Sequence, residues 1–197
     1  MTPYFETVKS FADVRITENG IDTHDFLDAS DGLVKMFDLF GSTVFGFVQS
    51  DIKGNIAGVR ARFESTREKS VTVERLVEEE TKENKRVAIA CLVRLVRGLY
   101  FTHQALENTQ SDTSSELHVC FKRAYDLVLK HHHGFIVRNV VSVAIRAVPR
   151  RSDFFSCIAQ GGSKEKLDVE LRKWLDGLDG IVQRVSKFLK DGGYGRV

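Results

Sequence analysis

Apolar residues along this chain recur at spacings of three and four, and period-two alternation is scarce, so the pattern predicts helices nearly throughout. The clearest stripe is Leu167, Leu171, Trp174, Leu175, Leu178, Ile181, Val185 and Phe188, one face of a long helix on which Trp174 reads as core. Earlier, THDFLDASDGLVKMFDLF predicts a helix capped by Thr23, with Phe26, Leu33, Phe37 and Phe40 on its apolar face. Gly41-Ser42 breaks it, and Ser42 is placed to cap the next helix, TVFGFVQSDIKGNIAGVRARF. VTVERLVEEETKENK is a charged helical stretch assigned to a solvated face, and KRVAIACLVRLVRGLYFTHQALE is the most buried-looking helix. NTQSDTSS reads as a polar loop. ELHVCFKRAYDLVLK repeats apolar residues at 117, 120–121, 124–125 and 128. HHHGFIVRNVVSVAIRAVP predicts a helix that stops at Pro149, and SDFFSCIAQGG a short one capped by Ser152 and ended by Gly161-Gly162. There is no internal repeat and no linker. One all-α domain over residues 1–197, of seven or eight helices, is expected.

Composition narrows the function classes. With 197 residues, 42% of them hydrophobic and 28% charged, the chain can build a sizeable core and does not read as disordered. The 29 basic and 27 acidic residues leave a net charge of only +2, without the basic stripe that nucleic acid calls for. Three widely spaced cysteines form no disulfide framework or zinc motif, which points to a reducing, cytoplasmic setting. The opening MTPYFETVKSFADV lacks the features of a signal peptide, and no window of the chain is apolar enough to span a membrane. A lipid partner would be met from the water side. No nucleophile elbow, phosphate loop or dinucleotide fingerprint is present, so an enzyme is not expected and no cofactor is implied.

Three clusters carry candidate chemistry. In LVRLVRGLYF, Arg94 and Arg97 interrupt an apolar helix and lie about 60° apart on one face. They are either internal salt-bridge partners or the two arms of an anion pocket, since guanidinium groups at this spacing can converge on a phosphate. In SDIKGNIAGVRARF, Asp51 and Asn55 share a face and can read the donors and acceptors of a polar head group, and Asp51 can equally be the counter-ion of either arginine. Gly54 and Gly58 permit a close neighbour, while Arg60 and Arg62 read as surface charges. Three consecutive histidines in KHHHGFIVRNV point in different directions on a helix and chelate poorly, so no metal is expected. His133 is the one suited to a single hydrogen bond.

FDLFGSTVFGFVQSDIKGNI, VRLVRGL, HHHGFIVRNV and AVPRRSDF, in that order, resemble the glycolipid transfer protein family over nearly the whole chain. The resemblance implies a two-layer helical sandwich enclosing one lipid, and a carrier that moves sphingolipids between membranes without reacting them. It implies that Asp51 receives the ceramide amide, that His133 donates to the acyl carbonyl, and that Arg97 belongs to the head-group site. The departures concern selectivity. Glycolipid-binding members carry a tryptophan at the position of Arg94, on which the sugar stacks, and a lysine at that of Gly58. The ceramide-1-phosphate branch has an Arg-x-x-Arg pair matching Arg94 and Arg97, but a lysine at the position of Asn55. Lys53 lies on another face. Phe135 stands where glycolipid members use a tryptophan to dock on membranes.

The expected ligand is therefore a phosphosphingolipid, ceramide-1-phosphate first. A glycosphingolipid carrier and a lipid sensor without efficient transfer are the alternatives. The expected chain tunnel is Phe37, Phe40, Phe45, Val48, Phe101, Val141 and Ile145, although ordinary core packing accounts for the same seven residues equally well. A monomer touching membranes transiently is expected.

Overall fold

The computed structural model describes residues 2–40 and 45–197. Its α-helices are α1 (Thr23–Met36), α2 (Gly46–Ser65), α3 (Val73–Lys82), α4 (Val87–Ser111), α5 (Leu117–Val128), α6 (Phe135–Arg146), α7 (Arg151–Ala159) and α8 (Lys164–Asp191). Tight 3₁₀ turns cover Tyr4–Glu6, Phe11–Asp13, Phe37–Phe40 and Lys130–His132. The departures from helix in the regular structure of the described residues are a short hairpin, β1 (Ile16–Thr17) against antiparallel β2 (Gly20–Ile21), and an isolated bridge between Asp22 and Thr72. The all-α class expected from the periodicity is the one that forms.

Helix α4 is the hub, packed against α2, α3, α5 and α8. Its apolar residues Leu92, Leu95, Val96 and Leu99 are fully buried within one contiguous core that also contains the α8 stripe. Trp174 is 2% exposed, with the rings of Phe5 and Phe11 at 5.3 and 5.2 Å, so the N-terminal turns are anchored on α8 and the tryptophan is core. Arg151 ties α7 to the connection before α5, donating to the carbonyls of Thr109, Asp112 and Ser115 at 2.6–3.0 Å.

Several local expectations are corrected. Asp22, not Thr23, caps α1: its carboxylate accepts from the Asp25 amide at 2.9 Å, while the Thr23 hydroxyl donates to the Ser70 carbonyl. Ser42 lies outside the described residues. Helix α4 continues through Ser111, which shortens the polar loop. The segment HHHGFIVRNVVSVAIRAVP is not one helix: His133 is extended, Gly134 precedes the helix, and α6 starts at Phe135. Arg138 holds that break, its Nε donating to the carbonyls of Lys130 and His133. Helix α7 starts at Arg151, so Ser152 sits inside its first turn rather than at its cap.

Three charged groups assigned to solvent are buried. Arg62 forms a two-pronged pair with Glu83 at 2.8 and 2.9 Å, and Glu83 is held down to about 2 by that bond and by Lys85. In α3, Glu74 and Glu80 face inward. Helix α4 has no cap of its own, and Glu80 supplies one from the neighbouring helix. Its two oxygens accept from the amides of Ala88 (2.9 Å) and Ile89 (2.7 Å), where the helix dipole favours an anion. Replacing Glu80 with alanine strands two buried donors, and a loss on the order of 3 kcal/mol is expected in urea unfolding. A loss below about 1 kcal/mol would show that water replaces the carboxylate.

Candidate functional site

The hub helix presents one face to a cavity of about 300 Å³. Helix α2 contributes Phe47, Val48, Asp51 and Ile52; α4 contributes Arg94, Arg97, Gly98, Phe101 and Thr102. His132 and His133 at the break before α6, with Val137 and Val141 on α6, close the far side. Phe37, Val48, Phe101, Thr102 and Val141 also line a second, wholly apolar space of about 70 Å³. The two spaces therefore adjoin, the first forming a polar end where Asp51, the two arginines and the histidines meet, and the second an apolar end. Phe37, Phe40, Phe45, Val48, Phe101, Val141 and Ile145 all line the apolar space.

Asp51, Arg94, Arg97 and His133 are brought to the polar end, and Asn55 is not. Asn55 is 5% exposed, does not line the cavity, and donates to the Asp51 backbone carbonyl (2.9 Å) and carboxylate (3.2 Å). It holds Asp51 in place from behind. The salt-bridge reading of the arginines is not what forms: among the described residues, neither has a carboxylate within ion-pair distance. Arg94 is exposed; Arg97 is half-buried and donates through Nε (3.0 Å) and Nη2 (2.6 Å) to the backbone carbonyl of Arg196. Burial, and then Arg94, lower the Arg97 pKa. Arg60 is partly exposed and pairs with Asp31 at 2.7 Å, away from the cavity. Among the described residues no three His, Cys, Asp or Glu side chains converge as a metal site requires.

The sequence profile of the family described as Glycolipid transfer protein (GLTP) matches residues 21–160. A glycolipid transfer protein of Aureobasidium melanogenum is 37% identical over 187 residues, covering 94% of this chain and 92% of its own length. The chain belongs to the glycolipid transfer protein family. Solved structures share its fold, two of them as follows. HET-C2, a fungal glycolipid transfer protein, superposes with a TM-score of 0.89 at 38% identity, covering 95% of this chain and 96% of that one. Mouse ceramide-1-phosphate transfer protein superposes with a TM-score of 0.88 at 20% identity, covering 98% of each chain, a likeness of fold alone. Members of the glycolipid transfer protein family are lipid carriers rather than enzymes. Among the described residues, no helix is long and apolar enough to cross a membrane.

Within this family member the position of Gly58 is closed. A Cβ there would lie 2.4 Å from Cys91 Sγ, so α2 and α4 touch where a long side chain at position 58 would need room. At the start of α6, Phe135 and Ile136 are 79% and 77% exposed.

Sequence reasoning missed the supports of the site. His132 lines the cavity, and its Nε2 is buried without a partner among the described residues. The Tyr125 hydroxyl lies 3.3 Å from His133 Nδ1 and orients that ring. Tyr125 falls on the apolar stripe of α5 and gave no polar signal. Burial holds the His133 pKa below the ordinary range; Asp51 opposes the shift and Arg97 adds to it. The same cause lowers His132. The unfolded chain therefore takes up protons first as pH falls through the ordinary histidine value near 6.5, and the fold loses stability below that pH. His133→Gln is expected to reduce the drop in melting temperature between about pH 7.5 and pH 5.5. An unchanged drop would assign the whole effect to other groups.

Proposed function

We propose that this protein carries one phosphosphingolipid, ceramide-1-phosphate first, between membranes. The observation that carries the reading is the pair Arg94 and Arg97 at the polar end of the cavity, with no carboxylate among the described residues neutralising either one. A phosphate can take forked, charge-assisted bonds from both. Asp51, held by Asn55, is placed for an amide donor. His133 is neutral at physiological pH, with Nδ1 turned to Tyr125, which leaves Nε2 for a carbonyl or hydroxyl. The apolar end takes the chains, and the seven residues named above form its wall. The protein acts from the cytosol as a monomer without a cofactor, in keeping with its three free cysteines.

A second reading, a glycosphingolipid, is favoured by the intact Asp51–Asn55 pair and by the 37% identical relative named a glycolipid transfer protein. Against it stands Arg94, at the position where glycolipid-binding members place a stacking tryptophan, and the filled space beside Gly58.

Contact with the membrane falls to the exposed apolar end of α6. Phe135, Ile136, Val140 and Val143 are all exposed along α6, the helix that lines the cavity through Val137 and Val141. Burying an exposed phenylalanine gains roughly 1.5–3 kcal/mol. Phe135→Ala is expected to slow transfer at least several-fold, with ceramide-1-phosphate affinity in detergent unchanged. Equal transfer rates would remove α6 from the docking surface.

Vesicle-to-vesicle transfer of ceramide-1-phosphate and glucosylceramide, measured side by side, tests the choice of ligand. Ceramide-1-phosphate is expected to move faster, and Arg94→Leu to cut its transfer roughly ten- to a hundred-fold, the worth of one charge-assisted bond. Equal or faster glucosylceramide transfer by the parent protein would overturn the phosphate assignment.

A further inference from the structure

Residues 192–197 follow α8 and carry no motif. The chain reverses at Gly193, whose φ of 68° is left-handed and suits glycine. The Tyr194 amide then donates to the Leu189 carbonyl at 2.8 Å, and the Tyr194 ring packs 5.4 Å from that of Phe188. Gly195 lies flat against α4: a Cβ there would sit 2.7 Å from a methyl of Val93. That contact brings the next carbonyl, of Arg196, to the Arg97 guanidinium, where it accepts from Nε and Nη2 together. Arg97 lines the polar end of the cavity, and neither Gly195 nor Arg196 does.

We propose that residues 193–196 form a strap that positions Arg97 for the lipid head group. Two donors of one planar guanidinium on one acceptor fix its plane, and Nη1 is left for a ligand. The acceptor's chemistry matters as much as its place. A carboxylate would hold the guanidinium and cancel its charge, whereas a carbonyl holds it and leaves the full charge to meet an anion. The strap acts through Arg97 and touches no lipid. This inference rests on the reading that Arg97 meets the head group.

A double-mutant cycle separates the two claims. The parent, Arg97→Leu, Gly195→Leu and the double variant are compared in ceramide-1-phosphate transfer between vesicles and in melting temperature. Gly195→Leu drives the segment off Val93 and is expected to lower transfer roughly tenfold, as losing one charge-assisted bond does, with the melting temperature nearly unchanged. In the double variant it is expected to add nothing to Arg97→Leu, because its effect runs through that side chain. A chain ending at Gly192 repeats the test without a new side chain. If Arg97→Leu lowers transfer while both strap variants leave it intact, or if the losses multiply in the double variant, the strap is overturned and the site stands. If Arg97→Leu leaves transfer unchanged, the head-group reading falls and the strap with it.

Discussion

Two guanidinium groups stand at the polar end of the cavity beside Asp51 and two histidines, and no carboxylate among the described residues lies within ion-pair distance of either. Three other arginines of this fold show a contrast. Arg62 is clasped by Glu83, Arg15 by Asp22 and Asp25, and Arg60 by Asp31. Leaving a charge unpaired near an apolar surface is costly, and the protein limits that cost by keeping Arg94 exposed and Arg97 only half-buried. What holds Arg97 is a neutral carbonyl. The charge is fixed in space and left uncancelled, which is the condition for recognising an anion.

The apolar half of the cavity cannot supply selectivity. Each methylene moved out of water gains about 0.8 kcal/mol, but a bilayer offers nearly the same, so a carrier's tunnel roughly breaks even against the membrane. Its task is to keep chains dry in transit. The apolar space, about 70 Å³, is about half of a 150 Å³ cavity that takes one benzene, so the proposed binding of long chains requires the phenylalanines around it to swing aside. Discrimination is left to the polar end, where hydrogen bonds and charge distinguish one head group from another. Helix α4 carries both halves on one face, and its own start is secured by Glu80 from a different helix.

Much of this was legible in the sequence. Helical periodicity is a long-range signal, and it predicted the α8 stripe, the burial of α4 and the all-α class. The spacing of Asp51, Arg94, Arg97 and His133 was legible through motifs. What was not legible depends on tertiary partners. Glu74 and Glu80 look like solvated charge until Ile21, Ala88 and Ile89 are seen to present amides to them. Asn55 looks like a ligand residue until its amide is seen turned to Asp51. Arg62 looks like a surface charge until Glu83 folds onto it. The histidine run reads as helix because nothing local announces that Arg138 will pin the chain open at His133. The hold on Arg97 comes from 99 residues away, beyond the reach of any local pattern.

The lipid that the protein holds is the most direct evidence of what it carries. Native mass spectrometry of protein purified from cells, sprayed without delipidation, reads that lipid from the mass difference between the holo and stripped chains. The expected result is one phosphosphingolipid per chain, with the mass of a ceramide-1-phosphate. A hexosylceramide in its place would contradict the phosphate assignment, and a glycerolipid would contradict the sphingolipid site as a whole.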